Sequence, residues 1–119
     1  MQANNRDAAS IWDMVQAIRR IQEFTTGLTS DDYEASILIQ SAVERQLEIL
    51  GEAAGRVSDA FRLAHPEIDW RRTVGLRNII IHRYDEIQQD IIWNIITTEL
   101  ATLLTQLEFL LPPLPEDWP

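Results

Sequence analysis

The sequence predicts an all-α fold, an antiparallel bundle of four to five helices. Apolar residues recur at three- and four-residue steps through several long stretches, and no stretch alternates apolar with polar residues as a half-buried strand would. The connections between these stretches are short, which favours antiparallel neighbours. At 119 residues the chain can bury one core, so a single domain is expected over residues 1–111, with 112–119 left as a tail.

Ile11, Met14, Val15, Ile18 and Ile21 form a core-facing stripe on a first helix, from about Asp7 to Phe24. Thr25-Thr26-Gly27-Leu28-Thr29 interrupts that pattern. Ser30, followed by Asp31 and Asp32, is expected as a helix N-cap with carboxylates in the first turn, where the helix dipole favours negative charge. One long helix should follow, with Ile37, Leu38, Ala42, Val43, Leu47, Leu50, Ala54 and Val57 facing inward. Gly51 and Gly55 lie inside it, each costing about 1 kcal/mol relative to Ala, so a second helix is expected to pack closely there.

Ala60, Phe61, Leu63 and Ala64 suggest one short helix, ended by His65-Pro66 because the residue before proline is pushed out of helical geometry. Asp69 then caps a helix expected from about Trp70 to His82, with Trp70, Val74 and Ile80 or Ile81 inward. A last helix is expected from about Asp85 to Leu111, its stripe made by Ile87, Ile91, Ile92, Ile95, Ile96, Leu100, Leu103, Leu104 and Leu107. Pro112, Pro113, Pro115 and Pro119 stop it, since proline lacks the N–H a helix interior needs.

With 45% hydrophobic and 24% charged residues, the composition suggests neither disorder nor a membrane protein. No apolar run reaches the roughly 18 residues that would span a bilayer, and residues 1–7 lack a signal-peptide core, so a cytoplasmic location is expected. The absence of cysteine removes disulfides, thiolate metal sites and a cysteine nucleophile. His65 and His82, 17 residues apart, make no zinc pattern, and neither a metal nor another cofactor is expected. His65, beside Pro66, is read as a surface residue. Trp12, Trp70, Trp93 and Trp118 are read as core or interface fillers.

Net charge is −9 and every basic residue is Arg. Such a chain is repelled by polyanions at long range, which excludes DNA binding through a broad basic face and makes any RNA contact local. Arg71 or Arg72, together with Arg77 and Arg83, would have to concentrate positive potential in one cleft.

Cleaving RNA at the adjacent 2′-hydroxyl needs a group that moves protons near neutral pH and a cation that steadies the phosphorane. Histidine and arginine meet those needs, and Arg77 and His82 stand five residues apart. On a straight helix that spacing separates them by about 140°. Either the helix ends or bends near His82, or a second copy of the chain completes the site. Asn78 adds an amide donor next to Arg77.

The string Arg77-Asn78-Ile79-Ile80-Ile81-His82-Arg83-Tyr84 resembles the Arg, four residues, His, one residue, Tyr motif of HepT-like toxins in the HEPN superfamily. Ala42-Val43-Glu44-Arg45-Gln46-Leu47-Glu48-Ile49-Leu50-Gly51-Glu52-Ala53 is similar to that family's second-helix signature. Pro66-Glu67-Ile68-Asp69-Trp70, Val74-Gly75-Leu76-Arg77-Asn78 and Asp90-Ile91-Ile92-Trp93 resemble the segments around its motif, with Leu76 where Met is frequent.

The resemblance implies a HEPN-like bundle and a toxin that is a metal-independent endoribonuclease. Arg77 and His82 would be catalytic across a homodimer, and Asn78 and Arg83 would bind substrate. It further implies that Tyr84 accepts AMP from an antitoxin, a nucleotidyltransferase of the MNT type, whose added phosphates would block the RNA site. Glu52, inside the second signature, is expected in a buried ion pair with an Arg. The alternatives are a non-catalytic helical module that binds nucleotide or RNA beside a nucleotidyltransferase, and a dimerisation bundle with an incidental Arg and His.

Overall fold

A computed structural model describes residues 5–82 and 89–111, with side chains at 6–80 and 89–111. Helix α1 (Asn5–Thr25) carries the expected stripe, and Ile11, Met14, Val15, Ile18 and Ile21 are completely buried. Gly27 follows it with φ 77°, a left-handed conformation that suits a residue without Cβ just past a helix end.

Where one long helix was expected, the chain forms two. Thr29, not Ser30, is the N-cap of α2 (Ser30–Glu34). Its hydroxyl accepts the Asp32 N–H at 3.1 Å while the Asp32 carboxylate accepts the Thr29 N–H at 3.0 Å, a reciprocal capping box. Ser36 then adopts extended backbone geometry, and its hydroxyl caps α3 (Ile37–Arg56) by accepting the Ile39 N–H. The Gln40 amide closes the end of α2 by donating to the Tyr33 and Glu34 carbonyls.

That break resets the helical phase. Ile37 and Leu38, expected in the core, are 78% and 79% exposed, whereas Val43, Leu47, Leu50 and Ala54 further along α3 are buried. Gly51 packs against α5 as expected. Gly55 does not, because a methyl built there would meet nothing within 4 Å.

Ser58 caps α4 (Asp59–Ala64) and also ties it to α1: Asp7, itself buried, accepts the Ser58 N–H at 2.8 Å and the Ser58 hydroxyl at 2.7 Å. His65 ends α4 mostly covered, its ring tilted against that of Phe61 with centroids 4.5 Å apart and its Nδ1 3.6 Å from Glu67, rather than lying free on the surface. Asp69 caps α5 (Trp70–His82) as expected, with its carboxylate accepting the Arg72 N–H.

The last rod comprises α6 (Gln89–Asn94), one π-helical turn (Ile95–Glu99) and α7 (Leu100–Phe109). Ile92, Ile95, Ile96, Leu100, Leu103 and Leu107 face the core, but Ile91 is 48% exposed. The expected start at Asp85, residue Ile87 and the tail 112–119 lie outside the described residues.

The buried residues of all these helices form one cluster. Helix α1 packs on α3 and α3 on α5. Helices α1 and α3 run antiparallel, since Ser58, just past the end of α3, bonds Asp7 near the start of α1 while Arg56, earlier in the chain, pairs with Asp13, further along α1. The architecture is an all-α antiparallel bundle, with no strand among the described residues. None of their helices is long and apolar enough to cross a membrane.

Candidate functional site

The site is set by where α3 and α5 touch. Gly51 lets the α5 backbone come within methyl distance of α3 at Arg77, and the next α3 residue, Glu52, lies beside the Arg77 side chain. Arg77 Nε stands 3.7 Å from Glu52 Oε1. That is an ionic contact too long for a hydrogen bond, and Nε is shielded from solvent with no hydrogen-bond partner among the described residues. The pair is not buried, as the sequence had suggested; the two side chains are 41% and 45% exposed. Its contribution to stability is therefore small, of order 1 kcal/mol or less, and its effect is to place a guanidinium at the surface of the bundle.

Helix α5 remains helical through His82. Arg77 and position 82 therefore lie on different sides of α5 within one chain, separated by about 140° about its axis. The His82 side chain, Arg83 and Tyr84 lie outside the described residues.

Asn78 does not share the place of Arg77. It lines a separate cleft of about 530 Å³ with Arg62, Trp70, Arg71, Val74 and Gly75. Arg72 is withdrawn from any anion, because Glu99 on the π-helical turn accepts from its Nε and Nη2, both at 3.0 Å. This bidentate bond, with the charges of Glu99 and Asp69, holds the Arg72 guanidinium even more firmly protonated than usual. No three His, Asp or Glu side chains among the described residues converge to hold a metal ion.

Sequence spacing missed one element of this region. The Tyr33 hydroxyl donates to Gln89 Oε1 and the Gln89 amide donates to Glu44 Oε2, both at 2.8 Å. The Tyr33 ring also packs on Trp93, with centroids 5.3 Å apart. These bonds anchor the first turn of α6 to α2 and α3. Burial, reinforced by the charge of Glu44, pushes the Tyr33 phenol well above its ordinary range. The linked residues are 56 and 45 positions apart, so no local pattern announces them.

Comparison with known proteins places this geometry. Residues 14–110 match the model of the family described as "Ribonuclease HepT-like", so the class that bundle and motif define is a helical ribonuclease. A Thermococcus cleftensis protein named "Probable ribonuclease HepT" is 34% identical over 96 residues, covering 81% of this chain and 87% of that one. A Methanocaldococcus jannaschii protein named "Putative RNase" is 32% identical over 100 residues, 84% of this chain and 92% of its own. Another of that name, from Caldanaerobacter subterraneus, is 30% identical over 98 residues, 82% and 88% of the two chains. The chain belongs to the ribonuclease HepT-like family. No solved structure matches it.

Proposed function

We propose that the chain is the toxin of a toxin–antitoxin pair, a metal-independent endoribonuclease whose catalytic Arg77 and His82 come together across a homodimer. The observation that carries this reading is the course of α5: it stays helical through His82 and so keeps the two motif positions apart within one chain. A two-fold partner brings Arg77 of one copy toward position 82 of the other, since a two-fold interface apposes the same patch of both copies.

In this site the imidazole of His82 takes the proton of the 2′-hydroxyl, whose oxygen attacks the adjacent phosphorus. The 5′-oxygen leaves, takes up a proton, and a 2′,3′-cyclic phosphate remains. Arg77 balances the charge that builds on the phosphorane through the exposed part of its guanidinium. Asn78 and Arg83 hold the strand. A nucleotidyltransferase antitoxin transfers the AMP group of ATP to the Tyr84 phenol oxygen, which loses its proton as pyrophosphate leaves, and the added phosphate blocks the RNA phosphate.

The test uses purified chain shown by intact mass to be free of AMP. Wild type cleaves RNA, while Arg77→Ala and His82→Ala each lose at least about a hundredfold in rate. Mixed and allowed to exchange subunits, the two inactive variants recover about a quarter of wild-type activity, because half the dimers then hold one intact site. A wild type that leaves RNA whole points to a non-catalytic module, active single variants take Arg77 and His82 out of the chemistry, and inactive variants that stay inactive on mixing place both residues in one protomer.

A further inference from the structure

Val74, Gly75 and Asn78 lie three, four and seven residues beyond Arg71 on α5, so the four share a face, and position 82, four beyond Asn78, is the next step along it. This face lines the cleft of about 530 Å³, together with Trp70 and with Arg62 from α4. Among the described residues no carboxylate lines the cleft, although the chain holds 19 Asp and Glu against 10 basic residues.

The two arginines of this cleft differ from most others in the chain. Arg19, Arg45, Arg56, Arg72 and Arg77 each lie within 4 Å of a carboxylate. Arg62 and Arg71 form no ion pair among the described residues. Arg62 is held rigidly nonetheless, as its Nη2 donates to the Ala54 and Gly55 carbonyls at 2.9 and 3.0 Å and closes the end of α3. Its charge is fixed in place, while Arg71 is exposed and free to reach a ligand. Between them Gly75 has nothing within 4 Å of where a Cβ would stand, so the α5 surface is open to close approach there.

We infer that this cleft binds a backbone phosphate of the substrate RNA away from the cleaved bond, with Arg71 and Arg62 as its cations and Asn78 as a polar contact. The strand then follows the α5 face toward position 82, which lies about 16 Å from position 71 along the helix axis at 1.5 Å per residue. Two unpaired arginines give a net acidic chain the local attraction that its overall charge denies it. The inference rests on the ribonuclease reading above.

The test measures binding of a single-stranded RNA oligonucleotide made uncleavable by 2′-O-methyl groups, beside cleavage of the unmodified oligonucleotide, in the intact chain. Arg71→Ala removes a cation that forms no ion pair among the described residues. Gly75→Glu puts a carboxylate in open space between the arginines, and Gly75→Ala is its control. Arg71→Ala and Gly75→Glu are expected to weaken binding about tenfold, with Arg71→Ala lowering the dependence of log affinity on log salt by about one unit. Both raise KM and leave kcat within about twofold, since the contact is alike in ground and transition states. Gly75→Ala binds as wild type does. If both charge-changing variants bind as wild type does while wild type cleaves RNA, the cleft is off the RNA path and the inference falls alone. A wild type that neither binds nor cleaves overturns it together with the ribonuclease reading.

Discussion

A methyl group built on Gly51 would lie 2.6 Å from Arg77 Cβ and 2.8 Å from the Arg77 backbone nitrogen. Neither atom is the end of a flexible side chain, so α3 and α5 would have to separate to admit it. The position of the candidate catalytic arginine is thus tied to the absence of a side chain 26 positions earlier.

Gly51→Ala is therefore expected to destabilise the fold by about 1–3 kcal/mol through overpacking, despite the roughly 1 kcal/mol that alanine gains in helix propensity. Gly55→Ala, with open space around it, should instead stabilise by about 0.5–1 kcal/mol. Urea denaturation of both variants checks the contrast. Equal shifts of the same sign would show that the α3–α5 distance is not set at Gly51.

Glu52 lies 3.7 Å from Arg77 in a pair that is too exposed to matter much for stability. Glu52→Gln should change unfolding free energy by less than about 1 kcal/mol. Yet RNA cleavage should fall, by up to about a hundredfold if the guanidinium shifts by an ångström, and in kcat more than in KM. Unchanged kcat with unchanged stability would leave Glu52 without a part in positioning Arg77.

Tyr33 is buried, and its phenol ionises far above the ordinary value of 10.0. The folded chain holds this proton more tightly than the unfolded chain does, so the stability it contributes is whole below pH 10 and declines as pH rises above it. Tyr33→Phe should lose about 1 kcal/mol near neutral pH, for the bond to Gln89, and show a flatter alkaline decline. Thermal midpoints from neutral to strongly alkaline pH test this, and a variant as alkali-sensitive as wild type would refute it.

Asp7 joins α1 to the cap of α4 through two hydrogen bonds from Ser58. Asp7→Ala leaves the Ser58 N–H without that acceptor and should cost about 2–3 kcal/mol, with Ser58→Ala costing less because the N–H to carboxylate bond survives. The double variant should cost less than the sum of the two singles, since the residues share bonds. Additive losses in denaturant unfolding would mean that the two act separately.

The helices are legible in the chain because their cause is local. Ile11, Met14, Val15, Ile18 and Ile21 repeat at the helical period, and each is buried in α1. Asp69 caps α5 where a capping residue stands before an apolar run. The errors arose where two local signals competed. Ser30 and Thr29 can both cap a helix, and the reciprocal bond with Asp32 decided for Thr29. Ile37 and Leu38 fit the period of α3, but the new cap at Ser36 and the bonds of Gln40 to the end of α2 turned them outward.

By itself the sequence determined the helical class, the stripes that face the core and the motif that brings Arg77 and His82 onto one helix, all properties of residues a few positions apart. Tertiary structure alone decided that Arg77 meets Gly51 and Glu52, that Glu99 takes Arg72 while Arg71 stays unpaired among the described residues, and that Tyr33 reaches Gln89. Those outcomes depend on which helix faces meet, and that is settled by the packing of the whole core, which local periodicity does not encode. The motif Arg77 to Tyr84 therefore carries the proposed chemistry, while the packing of α3 on α5 determines where its arginine stands.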